Sequence, residues 1–125
     1  MSSRRRSDKI AYWILAVLLT LTFVPGGWPK INPDAAMIGR FADWGYGVWF
    51  CRLIGVLEVL GGLLVLVPRL ASFGAAVLSI VMAGAIYTHL STGIGTPGAA
   101  IQYLLLGVAF GLLMLRDRWG SDPER

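Results

Sequence analysis

Residues 45–68 read GYGVWFCRLIGVLEVLGGLLVLVP, and the fold follows from how that stretch is read. Between Tyr46 and Val67 the only charged residues are Arg52 and Glu58. A helix of about 20 predominantly apolar residues crosses the hydrocarbon layer of a bilayer. An ionisable side chain inside such a run is costly to hold, and it marks a function or a specific partner. The stretch therefore reads as a membrane span with one carboxyl group, that of Glu58, near its middle.

Composition agrees. The 125 residues are 56% hydrophobic and only 14% charged, whereas a soluble domain carries roughly 25% charge. The length fits one domain. The net charge of +4 does not point to nucleic acid, because the basic residues cluster at the ends of apolar runs, where they set membrane orientation. Cys51 is the single cysteine, which excludes an intrachain disulfide framework. Arg4, Arg5, Arg6 and Lys9 precede an apolar run and resemble a secretory leader. Pro25-Gly26-Gly27-Trp28-Pro29 follows that run instead of a small-x-small cleavage site, so the run is expected to stay as a first span.

Outward from the opening stretch, the sequence predicts four spans, at residues 10–28, 46–67, 70–90 and 98–115. The Pro-Gly-Gly-Trp-Pro segment is expected to end the first. Asn32-Pro33-Asp34 reads as an N-cap, a first-turn proline and an acid near the positive end of a helix dipole. Residues 35–43 mix Met37, Ile38 and Phe41 with Arg40 and Asp43, which suits a helix lying on the membrane surface. Pro68-Arg69 makes a tight turn between spans two and three, and residues 91–97 (STGIGTP) form a loop. The expected fold is all-α: an integral membrane four-helix bundle, up-down-up-down, with a short interfacial helix between helices 1 and 2. A basic N-terminus (residues 1–9) and a polar tail (residues 116–125) flank the membrane domain of residues 10–115.

With the N-terminus inside, Arg4, Arg5, Arg6, Lys9, Arg69, Arg116, Arg118 and Arg125 lie on the inner side, and only Lys30 and Arg40 on the outer. The positive-inside rule thus puts both termini in the cytoplasm. Trp28, Trp44, Tyr46 and Trp49 would form an outer aromatic belt, and Tyr12, Trp13 and Trp119 an inner one.

Helical spacing puts Cys51, Gly55, Glu58 and Gly62 on one face of span two, and Ala75, Ser79, Met82, Ile86 and His89 on one face of span three. Small residues let membrane helices approach closely, so Gly55, Gly61 and Gly62, and the Gly107/Gly111 pair in span four, are packing candidates. Glu58 should then point into the bundle. It lies about 18 Å below the outer end of its span at 1.5 Å per residue, and Arg52 about 9 Å nearer the outside. Side chains lean toward their helix N-terminus, so Glu58 and His89 lean toward each other across antiparallel spans.

The order GGWPKI (26–31), GVLEVLGGLLVLVP (55–68) and ASFGAAVLSIVMAGAIYTHL (71–90) resembles the DoxX/DoxX-like family of small bacterial four-helix membrane proteins. The family pattern has G-x-x-K after the first helix, a carboxylate before a glycine pair in the second, and a histidine ending the third. Gly27 with Lys30, Glu58 with Gly61 and Gly62, and His89 occupy those positions. Proline at position 29 falls within the first motif and bears on where Lys30 points. The resemblance implies association with quinone-dependent oxidation of sulfur compounds, redox stress or membrane assembly, in the bacterial plasma (inner) membrane.

Ligand or proton-binding candidates are therefore Glu58, His89, Arg52, Lys30 and Gln102, lining an outward-opening polar pocket. For Glu58, a proton carrier or quinone ligand stands against a carboxyl that only ties helices together; Arg52 snorkels to the interface or pairs with Glu58; Cys51 packs. One histidine cannot give a haem two axial ligands within the chain. His89 and Cys51 alone cannot build a three- or four-ligand metal site. The lack of CxxC excludes thioredoxin-type chemistry. No cofactor signature is visible; the resemblance leaves a quinone open. The expected role is an accessory subunit of a membrane redox (quinone-linked) or stress-response complex, not an enzyme on its own, with the bilayer, a redox or membrane-complex protein and a second copy as partners. A proton-coupled small-molecule carrier, working as a dimer, and a purely structural assembly partner are the alternatives.

Overall fold

In the computed structural model the described residues are 2–93, 101, 108, 111 and 112. All regular structure among them is helical: α1 (Ser2–Ile31), α2 (Ala35–Asp43), α3 (Val48–Leu64) and α4 (Ala71–Thr92). Residues 6–31 of α1 and the whole of α4 are each long and apolar enough to cross a membrane. α3 has 17 residues, about 25 Å at 1.5 Å per residue, the lower end of what spans. α2 meets α3 at 103°. With α3 across the bilayer, α2 therefore lies along its surface. Gly45 (φ 91°) sits in the bend between them, in a backbone region that disfavours side chains.

One expectation is corrected. Pro25-Gly26-Gly27-Trp28-Pro29 does not end the first helix; α1 runs through both prolines to Ile31. In water an interior proline breaks a helix, but membrane helices tolerate one where neighbours hold the freed backbone. Here α3 packs directly against the segment. A Cβ on Gly27 would stand 2.8 Å from the Gly55 carbonyl oxygen and 2.8 Å from the Glu58 Cβ. The Cys51 thiol also donates to the Lys30 carbonyl at 3.6 Å, holding the last turn. The cap of α2 is corrected as well. It is Asp34, not Asn32, whose Oδ1 accepts the Met37 N–H at 2.9 Å.

α1, α3 and α4 run alternately up and down. Along α1 the partners on α3 come in reverse order: Tyr12 meets Val65, Thr20 meets Gly62, Gly27 meets Glu58 and Gly55, and Lys30 meets Cys51. Gly61 and Gly74 bring α3 against α4, since a Cβ on either would come within 3.0 Å of the other helix. The core joins Leu19, Phe23, Val65, Leu78, Val81 and Met82, with Leu112 from the predicted fourth span. Positions 101, 108, 111 and 112 of that span are helical. Gln102 and Gly107 lie outside the described residues. A Cβ on Gly111 would reach only ordinary contact with Leu15, at 3.8 Å.

The C-terminal end of α3 shows how the membrane setting shapes local chemistry. The last carbonyls of a helix lack intrahelical donors, and hydrocarbon supplies none. Val65, Leu66 and Val67 N–H groups take the carbonyls of Gly61, Leu63 and Leu64. Thr20 Oγ1 donates to the Gly62 carbonyl at 2.6 Å, and the Tyr12 hydroxyl to that of Val65 at 2.6 Å. Tyr12 is thus fully buried rather than part of an inner belt. Tyr12→Phe should cost about 1–3 kcal/mol, the usual penalty of a stranded buried acceptor. Thermal unfolding in detergent reads this, and an unchanged midpoint would refute it.

Candidate functional site

The sequence pattern put a small-residue face around Glu58, and α3 buries that face: Cys51, Gly55, Glu58, Gly61 and Gly62. Glu58 is 3% exposed. Its carboxylate is not left alone. Lys30 Nζ donates to Oε1 at 2.7 Å, with 23% of the lysine side chain still exposed. Two features of the backbone deliver the lysine. Continuation of α1 through Pro29 carries residue 30 alongside α3, and Gly27 against Gly55 lets the helices touch so that the side chain reaches inward.

The carboxylate has two oxygens and Lys30 takes one. The other, Oε2, faces Gly26, where a Cβ would stand 3.9 Å away. Gly26 is itself exposed. The two adjacent glycines thus differ in their surroundings: Gly27 is buried between helices, and Gly26 leaves the second oxygen uncovered by any side chain at that position.

Arg52 is exposed, on the outside of α3, and the cation on Glu58 is Lys30. The physical reason is angular: six residues along a helix turn about 120° around the axis, away from the Glu58 face. His89 is buried on the predicted face of α4 with Ala75, Ser79, Met82 and Ile86. Its ring stands edge-on to Trp44 at 5.2 Å between centroids.

A second polar group gathers where the α2–α3 bend meets the end of α4. The Tyr46 and Thr88 hydroxyls lie 2.7 Å apart. Phe41 is packed against Trp44 and Tyr46. Trp44 Nε1 is enclosed with no hydrogen-bond partner among the described residues, an unmet donor of a kind that is rare in folded proteins. Sequence reasoning assigned Trp44 and Tyr46 to an interfacial belt and passed over Thr88. Its neighbour His89 was the available signal, since a threonine beside a histidine at a helix end offers a second polar atom there.

Chemically, the paired Lys30 and Glu58 offer ammonium donors and a carboxylate acceptor side by side, with no net charge as an ion pair. The chain is 30% identical over 96 residues, 74% of its own length and 84% of the other's, to the Uncharacterized protein YdgD of Bacillus subtilis (strain 168). No solved structure matches it significantly. Residues 14–112, a segment holding Lys30, Glu58 and His89 alike, match the DoxX-like family, and the chain is a member of that family of membrane proteins.

Proposed function

We propose that the protein is an accessory membrane subunit that holds a small lipid-soluble molecule, of the quinone type, at the Lys30–Glu58 pair for a redox partner protein. The observation that carries this reading is the pair itself: a carboxylate 3% exposed in an apolar helix, with a partly exposed lysine 2.7 Å away. Taking both charges out of water is costly, and an apolar contact of similar size would tie the helices as well. Ionisable groups kept inside a membrane are more often functional than structural. A quinone carbonyl suits the spare donors of the ammonium, and a quinol hydroxyl suits Glu58 Oε2. His89 would stand at the outer rim, and exposed Arg52 at the interface. The basic residues support the bacterial inner membrane with both termini cytoplasmic.

The decisive measurement is a quinone titration of purified protein, followed by tryptophan fluorescence. Glu58→Gln is expected to weaken saturable binding about tenfold, the loss of one hydrogen bond to a charged group. No saturable binding by the unaltered protein, or equal binding by Glu58→Gln, would sink the reading.

The second carboxylate oxygen, Oε2, which faces exposed Gly26, favours a second reading, proton-coupled transport by a dimer. It requires pH-driven solute uptake into reconstituted vesicles that disappears in Glu58→Gln. If neither ligand binding nor uptake exists, and the partner complex survives the substitution, the chain is an assembly partner.

A further inference from the structure

The Lys30–Glu58 pair uses one oxygen of the carboxylate. Lys30 Nζ donates to Oε1 at 2.7 Å. Among the described residues no hydrogen bond reaches Oε2. Gly26 stands beside that second oxygen. A Cβ built there would meet Oε2 at 3.9 Å, and among the described residues no other atom of a neighbouring element within 4 Å. Gly26 is exposed, whereas Gly27 next to it is locked against Gly55 and Glu58. A donor oxygen sits about 2.5–3.0 Å from its acceptor. A ligand atom reaching Oε2 from this side therefore passes over the Gly26 backbone, where any larger side chain would stand. Pro29 adds to the acceptors of the same turn. It has no N–H, so the Pro25 carbonyl loses the donor that an α-helix ordinarily supplies four residues on.

We propose that Gly26 is the specificity-determining position of this site: a ligand hydroxyl donates to Glu58 Oε2 across Gly26, so the site takes the reduced, hydroxyl-bearing ring in preference to the oxidised one. The inference rests on the quinone-type reading above and says which form is held. Acceptor chemistry decides it. A carboxylate has lone pairs and no proton to give, so Oε2 holds a hydroxyl and repels a carbonyl oxygen. A quinone offers carbonyls alone, which suit the spare N–H groups of Lys30. A quinol hydroxyl donates to Oε2 and still accepts from Lys30. Hydrogen bonds to an ionised group are roughly twice as strong as neutral ones, which favours the form that makes both. Holding the reduced form about tenfold more tightly raises the midpoint potential of the bound two-electron couple by about 30 mV.

The test is anaerobic isothermal titration calorimetry of the full chain in detergent. The probes are decylubiquinone, its quinol, and the dimethyl ether of that quinol, which keeps the ring and chain but has no O–H. The quinol is expected to bind about tenfold more tightly than either of the others, the effect of one hydrogen bond to a charged group. Gly26→Leu should bring the quinol level with the ether, and Gly26→Ala should fall between. Gly84→Leu alters an exposed glycine of α4 whose Cβ would meet nothing within 4 Å, and it should bind the quinol as the unaltered protein does. Equal binding of quinol and ether overturns the proposal and leaves the quinone-type reading standing. No binding of any probe sinks both. Full binding by Gly26→Leu, or an equal loss in Gly84→Leu, also overturns the proposal. Circular dichroism of each variant separates lost binding from lost folding. Should Gly26→Leu fail to fold, Gly26→Ala and the ether carry the test.

Discussion

Lys30→Met is expected to destabilise the protein by about 3 kcal/mol, although it exchanges a partly exposed cation for an apolar side chain of similar length. The reason lies in what it leaves behind. Glu58 is enclosed, and Lys30 is the donor on its Oε1. Removing one member of a buried pair typically costs 3–5 kcal/mol, because the other charge stays without compensation. The 23% exposure of Lys30 places this case at the lower end. Glu58→Leu strands an ammonium that can still turn toward the exposed side, so it should cost less. The double variant Lys30→Met/Glu58→Leu should recover most of the loss, because two apolar side chains of matching volume need no partner. A double-mutant cycle of unfolding free energies isolates the coupling. Additive single effects, or a harmless Lys30→Met, would show that the pair is not a coupled unit.

Gly27→Val should be among the most damaging single substitutions along α1. The first added carbon would meet Glu58 Cβ and the Gly55 carbonyl at 2.8 Å and Val59 Cγ2 at 3.1 Å. One of these atoms belongs to backbone and another to a Cβ, so neither can swing aside, and the helices must separate. Overpacking of this kind costs about 1–3 kcal/mol, occasionally more. The upper end is expected, since separation also withdraws Lys30 from Glu58. Gly26→Ala is the matched control. Its new carbon would stand in ordinary contact, 3.9 Å from Glu58 Oε2, so stability should hold or rise slightly through helix propensity. The yield of monodisperse protein and its unfolding midpoint read both. Equal behaviour of the two variants would contradict the close approach at Gly27.

The spans were legible because each buried face repeats at helical spacing. Cys51, Gly55, Glu58 and Gly62, and Ala75 through His89, are buried together as their periodicity implies. Two things were not legible, for one shared reason. Pro25-Gly26-Gly27-Trp28-Pro29 carries the strongest stop signal in the first half of the chain, yet α3 supports the helix through it. Tyr12 has the ring of an interfacial residue, yet its hydroxyl serves a carbonyl of another helix. In both cases a distant backbone sets the local outcome, and no pattern along one helix reports it. The identity of the cation on Glu58 followed from the first of these. With α1 ended early, Arg52 looked like the candidate on the same span. With α1 extended to Ile31, Lys30 lies against the carboxylate.

The 2.7 Å separation of Lys30 and Glu58 also bears on membrane voltage. A charge crossing the field gains or loses about 2.3 kcal/mol per 100 mV, but opposite charges moving together cancel that work. As an ion pair the site is electrically silent, and helix motion there would go unfelt by the membrane potential. A proton delivered to Glu58 would leave Lys30 as a lone positive charge, and the same motion would then be driven or opposed by voltage.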